Sequence, residues 1–235
     1  MNGGERADRQ PRRSTPHSVA GTAREFVAGT AREFVVGAAP RSRTAAVFLR
    51  QFVQSPRTVG AVLPSSPALA RVMLAPIDFQ SIHAIVEFGP GTGAFTRAIA
   101  ARLAPGCRYL GIELNPVFVH ALTREFPGLT FVHGSAADLS GILAAHGIAA
   151  AGAIVSGLPW ATLPIALQTK VFAAMQRSLA PNGVFVTFGY PQSLVLPGAW
   201  ALRRRLARGF ARVDRSPIVW GNAPPAFAYI CRKHS

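Results

Sequence analysis

The sequence predicts an α/β protein built on a seven-stranded, mostly parallel, Rossmann-like sheet, with helices on both faces and an antiparallel C-terminal hairpin. Three observations carry this. From residue 82 onward, short apolar runs alternate with helical patterns, which calls for parallel strands joined by crossover helices. The first of those runs ends in "VEFGPGTG" (Val86 to Gly93), a bare turn directly before a helix. The last two extended runs are joined by the turn-rich "GNAPP" (Gly221 to Pro225), which reads as an antiparallel hairpin at the edge of the sheet.

Taken in order, strands are expected at 84–88, 108–113, 129–133, 153–156 and 183–188, and helices at 94–103, 116–125, 137–145 and 163–179. The closing strands are expected near 213–220 and 226–232. Upstream, Ala45, Phe48, Leu49, Phe52 and Val53 recur at helical spacing, so a helix is expected from about Arg43 to Pro56. In "LPSSPALARVML", Ser66 is a candidate N-cap and Pro67 a first helical residue, with Leu69, Val72 and Met73 as the buried stripe. The tandem repeat "GTAREFVA" and "GTAREFVV" (Gly21 to Val36) advances about 80° per period around a helix, so Phe26 and Phe34 share no stripe. That leaves a disordered or loosely helical tail, or a membrane- or partner-binding helix. Three regions follow: a flexible Arg/Gly-rich tail (1–43), a helical cap (44–80) and a catalytic domain (81–235).

The formal net charge is +15, and with only Lys170 and Lys233 as lysines nearly all of it is arginine, whose planar fork grips phosphate. A solvated basic surface and an anionic partner, membrane or nucleic acid, both fit. Cys107 and Cys231 lie in apolar stretches and read as buried thiols; no disulfide framework or metal-ligand spacing is present. The N-terminus does not read as a secretory signal, and no stretch reaches the roughly 18 apolar residues of a membrane span, so a cytoplasmic protein with possible surface attachment is expected.

A parallel sheet binds ligands at the carboxyl ends of its strands. The glycines there let the chain turn sharply and bring backbone N–H groups close to a ligand. Glu113 closes the second strand, twenty residues after Gly93, where a carboxylate accepts both hydroxyls of a ribose. Gly89, Gly91 and Ala94 also satisfy the looser G-x-G-x-x-G/A dinucleotide fingerprint, so a nicotinamide or flavin cofactor fits the glycines too.

The fuller pattern E-x-G-x-G-x-G (Glu87, Gly89, Gly91, Gly93), with an acid closing the next strand, resembles the class I methyltransferases that bind S-adenosylmethionine. The resemblance implies that Glu87, Gly89, Gly91, Thr92 and Gly93 lie at the methionine part of that cofactor and that Glu113 holds the ribose. In "FVHGSAADL" the family often places an Asp after the glycine, against the adenine amino group. Here Ser135 stands there, followed by Ala136, so these two are the candidate adenine contacts; Asp138 is either a helix N-cap or the displaced acid.

The loop "SGLPW" resembles the N-L-P-Y loop of the ribosomal RNA adenine dimethyltransferases, with Gly157 where those enzymes carry Asn. Gly157 is counted with the cofactor loop, and the missing amide argues against a planar base amine as acceptor. "FLRQFVQSPRTVGAVLPSSPALAR" (Phe48 to Arg71) extends the resemblance to bacterial phospholipid N-methyltransferases, over most of residues 45–232. The resemblance implies methylation of phosphatidylethanolamine toward phosphatidylcholine at a membrane surface; related enzymes act on ornithine lipids. An RNA base or another small molecule remains the alternative acceptor, and a noncatalytic membrane- or nucleic-acid-binding protein on this scaffold is the third reading. Trp160 and Tyr190 are candidate aromatic walls for an increasingly cationic amine, and His133 the candidate proton acceptor. In "ALRRRLARGFAR" (Ala201 to Arg212), five arginines among Leu202, Leu206 and Phe210 suit an anionic lipid surface.

Overall fold

The computed structural model describes Met1 and residues 65–235. The tail, its duplication and the helix expected near Arg43 to Pro56 lie outside the described residues. The first described helix, α1 (Pro67–Leu74), starts as its sequence dictates, with Pro67 in the first turn and the Ser66 hydroxyl accepting from the Leu69 N–H at 3.2 Å. Its buried face is Leu69, Ala70, Met73 and Leu74, so the stripe lies slightly to one side of the expected one and Val72 is only half-buried.

The core alternates β1 (Ala84–Phe88), α2 (Ala94–Ala100), β2 (Arg108–Glu113), α3 (Pro116–Glu125), β3 (Thr130–His133), α4 (Leu139–Ala145), β4 (Ala151–Ser156), α5 (Ile165–Ser178) and β5 (Leu179–Gly189). It closes with α6 (Pro197–Gly209), β6 (Arg212–Arg215) and β7 (Phe227–Arg232). The sheet has seven strands in the order β3-β2-β1-β4-β5-β7-β6, parallel from β3 to β5. The C-terminal pair is antiparallel, but β7 is inserted between β5 and β6, so only β6 lies at the edge. β6 is shorter than expected: the Ser216 N–H still donates to the Ala228 carbonyl at 2.9 Å, but the Ala228 N–H turns to the Ser216 hydroxyl, and pairing resumes only at a Val219–Ala226 bridge. β5 begins four residues early, at Leu179, through a register shift whose outlying loop holds Asn182 at φ 58°.

Each strand sends alternate side chains to opposite faces. Ile85, Ala153, Val186 and Ala228 pack with α1 and α2, while Val86, Phe88, Ile154, Phe185 and Phe227 pack with α4, α5 and α6. Buried Asn222 ties the β6–β7 loop to α1, accepting from the Ser66 N–H at 2.8 Å and donating to the Pro224 carbonyl at 2.8 Å. Cys231 is buried as expected, whereas Cys107 is only half-buried; both are free thiols.

Candidate active site

Three glycines shape the turn after β1. Gly89, Gly91 and Gly93 have φ of 64°, 56° and 79°, the left-handed region that side chains disfavour. A Cβ on Gly93 would also press Leu122 and Phe126 at 3.1 and 3.2 Å, whereas one on Gly91 would meet only the Gly89 carbonyl at 4.0 Å. Gly91 is therefore required by its backbone, and the space above it is open.

Both neighbouring strands clamp this turn. The Gly89 N–H donates to the Ile112 carbonyl at 2.9 Å, and the Gly157 N–H, just beyond β4, donates to the Phe88 carbonyl at 2.7 Å. Glu113, 6% exposed, accepts from the Gly91 N–H at 3.0 Å through Oε2 and from the Asn115 N–H at 2.9 Å through Oε1. An ionised carboxylate has about four acceptor sites, so Glu113 holds the turn and still has capacity for a diol. Thr92 stands exposed at the tip of the turn. These residues fit a nucleoside cofactor: open backbone above Gly91, with a nearly buried acceptor beside it.

Glu87 is fully buried and reaches no opening. Its Oε2 accepts from the Tyr109 hydroxyl at 2.6 Å and from Thr96 Oγ1 at 2.8 Å, tying β1 to β2 and α2; among the described residues Oε1 has no partner. The expected direct contact with cofactor is thereby corrected, because the carboxylate lies inside the fold and braces the turn from within. Burial pushes its pKa up to about 7, against the Tyr109 and Thr96 hydrogen bonds, while the Glu113 charge adds to the rise. The folded protein then binds more protons than the unfolded chain between about pH 4.5 and 7, so this contribution to stability is full below pH 4.5 and lost as pH rises through 7. The loss is on the order of 3 kcal/mol for a shift of this size. Glu87→Gln is expected to flatten that dependence, as denaturant melts of variant and wild type at pH 5 and pH 8 would register.

Ser135 caps the short turn 136–138, its hydroxyl accepting from the Ala137 N–H at 3.2 Å, and Ala136 is buried. Asp138 occupies the N-cap position of α4, one of its two expected roles, although its side chain makes no capping bond. His133 is exposed, with Nε2 3.0 Å from the Leu114 carbonyl. Its strand is three positions from β4, roughly 14 Å at the usual strand spacing, so His133 does not join Trp160 and Tyr190. The proton-acceptor role is thereby removed.

Trp160 also departs from expectation. It is 1% exposed, packs edge-on against Phe185, and donates from Nε1 to Ser156 Oγ at 2.9 Å. It is part of the floor of a cavity of about 330 Å³ at the carboxyl ends of β4 and β5, whose walls include Phe188, Tyr190, Leu194, Phe227 and Tyr229. Among the described residues no charged side chain lines this cavity. The Tyr190 hydroxyl is enclosed and has no hydrogen-bond partner among the described residues; burial pushes its pKa up to about 12, so it stays protonated at neutral pH. The loop from Gly157 to Trp160 joins the cavity to the glycine turn.

Sequence reasoning missed the residue that fixes this loop. Gln168, fully buried on α5, donates through Nε2 to the Trp160 carbonyl at 2.6 Å and to the Gly198 carbonyl at 3.2 Å. Its signal was available: with Val171, Met175 and Ser178 it falls on the buried face of α5, where a polar side chain needs a reason.

A sheet of this order, with a glycine turn and a nearly buried carboxylate at the ends of its first two strands and an apolar cavity at the ends of β4 and β5, has the layout of an α/β enzyme that binds a nucleoside cofactor. Residues 85–183 match the methyltransferase domain family. The chain is 35% identical over 191 residues to an ornithine lipid N-methyltransferase of Singulisphaera acidiphila, covering 79% of this chain and 94% of that protein. The N-methyltransferase NodS from Bradyrhizobium japonicum in complex with S-adenosyl-l-homocysteine superimposes with a TM-score of 0.57 at 16% identity, over 71% of this chain and 84% of that one. A TehB-like S-adenosylmethionine-dependent methyltransferase from Corynebacterium glutamicum gives 0.54 at 16% identity, over 81% and 100%. The chain belongs to the class I S-adenosylmethionine-dependent methyltransferases, and its cofactor is S-adenosylmethionine; the nicotinamide and flavin readings of the glycines are set aside.

Proposed function

We propose that the protein N-methylates the amine head group of a membrane lipid, of the phosphatidylethanolamine or ornithine-lipid kind. The observation that carries this reading is the aromatic cavity beside the glycine turn, which no charged side chain lines among the described residues. S-adenosylmethionine supplies an electrophilic methyl group, so the chain's own task is to hold a neutral amine in line with it and exclude water. We assign Gly89, Gly91, Thr92 and Gly93 to the methionine part of the cofactor, Glu113 to the ribose, and Ser135 and Ala136 to the adenine.

In the cavity the amine lies against the side chain of Tyr190. Its ring tolerates the cation that accumulates with each methyl group, an interaction of about 0.5–2 kcal/mol. The 35% identical relative is itself named for a lipid amine, which supports the same class of acceptor. Gly157 weighs against a nucleic-acid base. A Cβ there would lie 2.6 Å from the Gly89 carbonyl oxygen, so the asparagine of base-methylating loops has no room.

Among the described residues no helix is long and apolar enough to cross a membrane. We therefore place the protein at the inner face of an anionic membrane, as a peripheral partner. Val195 and Trp200, 81% and 66% exposed, adjoin residues that line the cavity, and exposed Arg204 and Arg208 lie on α6. An apolar rim beside cationic side chains suits the interfacial zone of such a bilayer. The test is to incubate the full chain with methyl-labelled cofactor and, separately, phosphatidylethanolamine, ornithine lipid and ribosomal RNA. Label is expected in lipid; label in RNA alone, or in none of them, would refute the reading.

A further inference from the structure

Among the described residues the cavity carries no charge on its walls, yet an arginine lies over one of its wall rings and a second stands on the helix that packs against that wall. Phe227 and Tyr229 form that wall, packed edge-to-face at 5.1 Å. Arg215 pairs in register with Tyr229 across β6 and β7, and its guanidinium lies 5.1 Å over the Phe227 ring. Arg203 approaches from α6, two turns before the helix ends. Burial pushes the Tyr229 hydroxyl up from its ordinary value, and the positive charges of Arg215 and Arg203 both act against that rise. Leu202 and Leu206 of α6 pack in one cluster with Phe227 and Tyr229, so both positive charges belong to elements that cover this wall.

Neither arginine has a carboxylate partner among the described residues, where the salt bridges are Arg97 with Glu125 and Arg212 with Asp214. The Arg215 guanidinium lies 5.1 Å from the centre of the Phe227 ring, a cation–π contact that engages no carboxylate. A guanidinium is a planar fork matched to a phosphate or carboxylate.

We propose that Arg203 and Arg215 form an anion subsite at the Phe227–Tyr229 wall, which receives the negative group of a zwitterionic lipid head while the amine lies at Tyr190. The proposal rests on the lipid-amine reading above and deepens it. Phosphatidylethanolamine offers a phosphate and ornithine lipid a carboxylate, so the shared chemistry is an amine with an anion a few bonds away. The subsite selects lipids that carry both charges over simple cationic amphiphiles, and it fixes the direction in which the head group enters.

The experiment uses the full chain in mixed micelles of an uncharged detergent, which removes any contribution from a charged bilayer. Initial rates are measured on phosphatidylethanolamine, on ornithine lipid and on oleylamine, which has the chain and amine but no anion. For the double variant Arg203→Gln, Arg215→Gln, KM for the zwitterionic lipids is expected to rise about 10-fold or more with kcat little changed, the effect of losing hydrogen bonds to a charged group. KM for oleylamine is expected to stay the same, and the charge-matched variant Arg124→Gln, Arg177→Gln to behave as wild type. A rise with one zwitterion only identifies the anion as phosphate or carboxylate. The subsite is overturned if KM for both lipids stays within about twofold of wild type, or if oleylamine suffers equally. Failure of the wild-type chain to methylate any of the three would instead bring down the lipid-amine reading, and the subsite with it.

Discussion

Glu113→Ala is expected to weaken S-adenosylmethionine binding by about 100-fold or more, because each hydrogen bond to a charged group contributes about 1.5–3 kcal/mol. The carboxylate acts twice. It accepts from the Gly91 and Asn115 N–H groups, which sets the tip of the glycine turn, and its remaining lone pairs are the ribose acceptors assigned above. Alanine leaves both N–H groups without an acceptor and removes the diol contact together. The side chain is 6% exposed at the end of a strand whose core neighbours Leu110 and Ile112 are untouched, so the sheet is expected to survive. Calorimetric titration of the variant, with circular dichroism to confirm its fold, checks this. An unchanged affinity in a folded variant would remove Glu113 from the site. Glu113→Gln is expected to fall between the two, since its amide retains one acceptor oxygen and turns a donor toward an N–H.

Gly157→Ala carries the second large effect. The new Cβ would sit 2.6 Å from the Gly89 carbonyl oxygen and 3.3 Å from that of Phe88, both backbone atoms that no rotamer change can move aside. The two loops must part, lengthening the 2.7 Å bond from the Gly157 N–H to Phe88. Overpacking of this kind costs about 1–3 kcal/mol. The melting temperature is then expected to fall by roughly 5 °C for a chain of this size. Catalysis is expected to suffer more, with kcat/KM down at least about 10-fold, since small misplacements at a reacting centre carry large penalties. Gly157→Asn is expected to be worse still and to gain no activity on RNA. A variant with wild-type stability and kcat/KM would show that the close approach of the two loops is not required.

The part of the site legible in the sequence was the part written in backbone. Gly89, Gly91 and Gly93 were visible as glycines because the turn demands left-handed torsions, and Glu113 because it ends a strand that reads plainly as one. The bounds of β1, β2 and α3 match expectation because Gly, Pro and Asn punctuate them: Gly89 follows β1, and Asn115 caps α3 with Pro116 in its first turn. What depends on strand order was less legible. His133, Trp160 and Tyr190 each lie at or beyond a strand's carboxyl end, but β3 is at the far edge of the sheet, so His133 stands apart from the other two. The insertion of β7 beside β5, which brings Phe227 and Tyr229 to the cavity, is equally a matter of tertiary pairing. Burial was the third hidden quantity. Glu87 and Trp160 have the composition of site residues, yet both are enclosed and act through Tyr109, Thr96 and Ser156. Gly157 read as a lost asparagine, whereas the structure makes it the one residue small enough to let β4 and the glycine turn meet.

The central claim is that the turn after β1 and the carboxylate ending β2 form a cradle for S-adenosylmethionine. Calorimetric titration of the folded full-length chain with S-adenosylmethionine, and separately with its demethylated product, tests it most directly. Saturable uptake of both at one site per chain is predicted. Absence of binding by either, from protein whose folding is verified in the same preparation, would contradict it.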